Sequence, residues 1–151
     1  MAWEFQIVHF LHLVFIIWGV GGATISTLLM IKAEKEPALM PSAMKFMGSI
    51  SKLIWIAIMG LIITGIISAS MGAGKGYYDP TILTIKHIVV ALIIIFGANI
   101  SLRLVPKLRK ISPSPGSAPT AEFLKTKTHM KIEAAFSLVL WYVVVALSVI
   151  M

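Results

Sequence analysis

Cysteine is absent from this 151-residue chain. That excludes disulfides, thiolate metal ligands, iron–sulfur clusters and covalent haem attachment through a CxxCH motif. Charge is scarce as well: 13% of the residues are charged and six are acidic, against 58% hydrophobic and a mean hydropathy of +0.95. Soluble domains carry about 25% charged residues, so a water-soluble enzyme and a disordered tail are both excluded. No Ser-His-Asp arrangement, paired intramembrane carboxylates or phosphate-binding glycine loop stands in the sequence. Met1–Gln6 also lacks the basic n-region of a signal peptide, and the apolar stretch after it is too long for an h-region, so the first helix is expected to be retained.

What the chain does have is long apolar runs. Stretches without formal charge extend from Phe5 to Ile31, Leu53 to Gly74, His87 to Leu102 and Ala134 to Met151. A helix needs about 20 mainly apolar residues to cross a bilayer core of roughly 30 Å. Backbone hydrogen bonding in lipid leaves helices as the structure for such runs. The expectation is an all-α, integral membrane four-helix up-down-up-down bundle forming one transmembrane domain over 1–151. Its helices are read at about 3–33, 48–73, 80–105 and 121–151, with a linker at 106–120. The lipid bilayer is the first partner.

Basic residues set the orientation. Lys32, Lys35, Lys45 and Lys52 lie between spans one and two, and Arg103, Lys107, Arg109, Lys110, Lys125, Lys127 and Lys131 between spans three and four. By the positive-inside rule both basic connections are cytoplasmic and both termini face outward. The net charge of +7 is thereby explained without nucleic acid. The Pro/Ser/Gly stretch Ser112–Thr120 reads as a linker, Asp79-Pro80 as a helix start, and Ala121–Lys131 as a basic helical extension on anionic headgroups.

Polar residues within a membrane are costly, so they are the functional candidates. His9 and His12 lie about 6–12 Å along the first helix from its outer end, and His87 about 10 Å along the third. His129 lies at the opposite end. At 100° per residue His12 shares a face with Gly19, Ala23, Ser26 and Met30, and His87 shares one with Ala91, Ala98 and Ser101. Faces of small residues pack inward. Two imidazoles at matched depth across a bundle core suit the iron of a b-type haem. His12 and His87 are therefore read as haem ligands, with His9 and His129 as alternatives, and Lys86 or Lys75 as a partner for the propionates.

Copper is the rival cofactor, because Cu(I) favours thioether and imidazole ligands. The nine methionines are scattered, with Met40, Met44 and Met47 grouped between spans one and two. A structural role for the histidines is the third reading. For Glu133 the expected role is an ion pair with Arg103 or Lys107.

The stretch FLHLVFIIWGVGG (Phe10–Gly22) resembles the first helix of the copper-resistance protein D (CopD-like) superfamily. Further similarity runs through LIITGI (Leu61–Ile66), Lys86-His87, NISLRLVPKLR (Asn99–Arg109) and KIEAAFSLVL (Lys131–Leu140). That superfamily is similar to other four-helix haem-binding membrane proteins, including HemJ-type protoporphyrinogen oxidases. The resemblance implies a bundle that holds haem b, moves copper or oxidises a porphyrinogen, with His12 as the first-helix ligand. The oxidase type places an arginine after its first-helix glycine, where this chain has Ala23. Taken together, the sequence reads as a cytoplasmic-membrane cytochrome b, passing electrons from a quinol (quinone being a candidate partner) as an oligomer or as a subunit of a larger complex. Copper handling is the alternative function, and porphyrinogen oxidation or a structural subunit the second.

Overall fold

The computed structural model describes residues 2–72, 79–113 and 117–150. Lys75, the centre of the proline-rich linker and Met151 lie outside the described residues. Every element is helical: α1 (Ala2–Lys35), a 3-10 turn at Pro37–Leu39, α2 (Met40–Gly72), α3 (Pro80–Asn99), a π-helical segment at Ile100–Leu104, α4 (Val105–Lys110) and α5 (Ala121–Ile150). Taking α3 through α4 as one rod, four helices among the described residues are long and apolar enough to cross a membrane. Their outward faces are large apolar side chains, such as Ile17 at 67% and Leu102 at 73% exposure, which suits a lipid surround.

α2 begins at Met40 rather than at residue 48, and the third rod runs on to Lys110 rather than stopping at residue 105. Charge marks the edge of the hydrocarbon but does not stop a helix. Lys45 and Lys52 on α2, like Lys107 and Arg109 on α4, ride on helix that continues beyond the apolar layer. Met40, Met44 and Met47 accordingly form a helical i, i+4, i+7 series and not a loop cluster. α3 starts as its sequence indicates: Asp79 accepts hydrogen bonds from the Thr81 and Ile82 amides at 2.7 and 3.3 Å, ahead of Pro80 at the first helical position. Those amides hold the Asp79 carboxyl below the usual carboxylate range.

The helices run antiparallel, with α1 packed on α2 and on α5, and α5 on α3. Two cores result. One, around Ile16, Ile58, Leu61, Val89, Ile93, Trp141 and Val144, fills the middle of the bundle. The other gathers Met30, Leu104, Leu108 and Met130 at the basic end. Trp141 is a core residue at 2% exposure. It sits against Gly19, where a Cβ would lie 2.8 Å from Cζ2 and closer still to Cζ3 and Cη2. At the basic end, Glu34 receives Lys127 at 3.1 Å and Lys131 at 2.7 Å, tying the end of α1 to α5.

The π segment has a covalent cause. Pro106 has no N–H to donate to the carbonyl of Leu102, and in an α-helix its ring would collide with that oxygen. The ladder therefore slips, and the Val105 amide bonds Ile100 O instead. The slip changes the phase of α3 relative to α4. Replacing Pro106 with alanine is expected to restore α-helical bonding and turn α3 by about 100° against its basic end. Backbone NMR shifts at residues 100–105 read this out. An unchanged π pattern would assign the bulge to tertiary packing.

The small-residue face anticipated for α3 is not its packing face. Val89 and Ile93 are buried, flanked by Val90 and Ile94, while Ala91 is exposed. The buried pair belongs to the mid-bundle core, and the π turn breaks the phase linking His87 to Ser101.

Candidate functional site

At the end of the bundle opposite the basic residues, all four rods line a cavity of about 920 Å³. This lies at the large end of the range for small-molecule and cofactor sites. α2 and α3 pack little against each other here. Their link lies further in, where Ser51 and Ser101 share a 3.1 Å hydrogen bond and the Trp55 indole N–H donates to the same Ser101 oxygen at 3.4 Å. The cavity is therefore the space between two rods joined at one end and parted at the other.

His9, His12, Lys86 and His87 all line this cavity. His9 is stacked on Phe5, with ring centroids 6.2 Å apart. His12 is half-buried, and its Nδ1 lies 2.8 Å from Thr64 Oγ1. The Thr64 hydroxyl has one proton, and it donates this to the Gly60 carbonyl at 2.6 Å. Toward His12 it can only accept, so the hydrogen-bond network assigns the proton of the ring to Nδ1 and leaves the lone pair on Nε2. On α3, His87 Nδ1 donates to the Leu83 carbonyl at 2.7 Å, since a carbonyl has no proton to give. Nε2 is then the ring nitrogen left for a ligand.

This is the arrangement metal-binding histidines use: one ring nitrogen held by an acceptor that fixes tautomer and orientation, the other available. Two helices present such a ring to one cavity. Met71 also lines it, as does Ser68, whose buried Oγ has no hydrogen-bond partner.

His129 does not join this group. It lies at the basic end with its Nε2 3.0 Å from Glu133 Oε1 on its own helix, an i, i+4 pair. Glu133 is not paired with Arg103 or Lys107 as expected. Asn99 donates to its Oε1 at 2.7 Å, and Lys107 is instead 2.9 Å from Glu122. The shift follows from depth: Glu133 is buried at 8% exposure, one turn inside the level that the lysines and arginine reach.

Thr64 is the site residue that sequence reasoning undervalued. It reads as a back-bonding threonine in lipid, and it is one, but the same bond forces it to accept from His12. The usable signal was its place on α2, whose outer turns face His12 of an antiparallel neighbour.

Residues 44–147, more than half of the chain, match the copper resistance protein D family. No curated protein and no solved structure matches the chain.

Proposed function

The chain belongs to the copper resistance protein D family, and from that premise we propose that it handles copper in the cytoplasmic membrane, taking the ion at the outer end of the bundle on His12 and His87. The observation that carries this reading is the pair of tethered imidazoles, each with Nδ1 occupied and Nε2 free, presented by two different helices to one cavity. Neutral imidazoles joined by a nearby thioether are a donor set suited to Cu(I). Among the described residues no group of three or more His, Asp and Glu comes together, which disfavours a closed tetrahedral site for a harder dication. The copper is cargo here, and the protein's contribution is to hold and orient the two rings.

A haem b reading keeps support from two observations: the cavity is far larger than an ion requires, and Lys86 in its lining is a cation that could pair with a propionate. Electron transfer from a quinol belongs to that second reading. The family assignment favours copper over haem.

One experiment separates them. Detergent-purified protein is titrated with Cu(I) against a competing chelator, with His12→Ala and His87→Ala alongside, and its reduced optical spectrum is recorded. Copper handling predicts a colourless protein whose Cu(I) affinity falls at least 10–100-fold in each variant. A sharp reduced α band lost in both variants would transfer the site to haem, and copper affinity indifferent to both substitutions would overturn the proposal.

A further inference from the structure

Methionine is distributed unevenly between the two cores. The mid-bundle core and the side chains packed on it include no methionine among the described residues. The core at the basic end contains Met30 and Met130, with Met47 packed against it. These three come from α1, α5 and α2, so their meeting is a product of the fold and not of local sequence. Met30 and Met130 are 8% and 2% exposed. Methionine is ordinary filler in irregular cores, but filler has no reason to avoid one core and collect in the other.

Charge supplies a second observation. Glu133 is one turn beyond Met130 on the same buried face of α5, and it is the only acidic or basic side chain in the buried class among the described residues. Its Oε1 accepts from Asn99 and is paired with His129, whereas its Oε2 is fully buried with no partner. Two such orphan atoms occur among the described residues, and the other, Ser68 Oγ, lies in the outer cavity. A buried carboxyl oxygen left without a donor implies an unseen water or cation.

We infer that Met30, Met47 and Met130 form a second Cu(I) site at the basic end of the bundle, with the Glu133 carboxyl as the neighbouring counter-charge. This inference rests on the copper reading of the outer cavity but concerns different residues. A set of thioethers selects Cu(I) over harder ions. Such a set is neutral, so a bound monovalent cation in a low-dielectric interior requires a negative group nearby. Glu133 provides it without displacing its hydrogen bonds from Asn99 and His129. The bundle then carries a histidine site at one end and a thioether site at the other.

The test uses the full chain in detergent, loaded anaerobically with Cu(I) against a chelator, and copper X-ray absorption to read the ligating atoms. Methionine-to-leucine changes conserve volume, so the triple variant Met30→Leu, Met47→Leu, Met130→Leu keeps the core filled. A thermal melt and circular dichroism check this. In a His12→Ala, His87→Ala background the remaining copper is expected to be sulfur-ligated, and adding the triple leucine change removes about one equivalent per chain together with the sulfur scattering. Glu133→Gln is expected to weaken that site about 10–100-fold while sulfur ligation persists. Sulfur-ligated copper that survives the triple change in a folded protein would overturn the inference. So would a double-histidine variant that binds no copper, although the outer site would then stand. If instead the double-histidine variant binds as much copper as the parent, all of it through sulfur, the outer-site reading fails and the thioether site stands.

Discussion

Replacing Gly19 with alanine is expected to destabilise the bundle by about 1–3 kcal/mol, with a larger side chain costing more. The added methyl group would occupy the space now filled by the six-membered part of the Trp141 ring. Trp141 is 2% exposed and enclosed by the mid-bundle core, so it has nowhere to retreat. Removing the indole instead, as Trp141→Ala, leaves a large void and is expected to cost about 3–5 kcal/mol. The double variant should be less destabilised than the sum of the two, because the new methyl enters space that the indole has vacated. Thermal unfolding in detergent measures all three. Gly19→Ala protein that melts with the parent would show that α1 and α5 do not depend on this close approach.

Thr64→Val is expected to weaken Cu(I) binding about 10–100-fold, although Thr64 touches no metal in the proposed site. Valine keeps the volume and the β-branch but removes the oxygen that accepts from His12 Nδ1. The ring then loses the bond fixing its tautomer, and the nitrogen facing the cavity is no longer committed to carrying the lone pair. Thr64→Ser, which restores the hydroxyl and its bond to Gly60, should recover most of the affinity. Nitrogen NMR of the His12 ring gives an independent readout: a single Nδ1–H tautomer in the parent, and a mixture in the valine variant. Unchanged affinity together with an unchanged tautomer would separate Thr64 from the site altogether.

Much of this architecture could be read in advance. Four apolar runs and two basic connections determine the number of spans and their antiparallel order, because lipid admits few alternatives for an uncharged stretch of that length. Placing His9, His12, Lys86 and His87 at one level required only the rise of a helix. The facing of α3 was a different matter. The rule that small residues turn inward points to Ala91, whereas Val89 and Ile93 are the buried pair, because the face a helix buries is decided by its neighbours and not by its own composition. The tautomer of His12 depends on a donor chain through Thr64 to Gly60, and no spacing in one sequence shows where a hydroxyl proton goes. The convergence of Met30, Met47 and Met130 is likewise a tertiary fact. Pro106 shows the opposite limit: taken as the start of the linker at 106–120, it lies inside a rod that runs on to Lys110, with the π segment just before it.

That π segment has a consequence for ancestry. A helix with one π turn contains one more residue than an α-helix joining the same two anchors. A relative whose third span lacks a proline at this point, and stays α-helical throughout, reaches the same outer surface with a residue fewer. Set side by side without a gap between 100 and 104, the two chains would be displaced by one position over all of α3. The true counterpart of His87 would then stand opposite Ile88, and the residue set opposite His87 would be the counterpart of Lys86. Whether kin share this histidine is thus a question to ask only after the inserted residue has been given its own column.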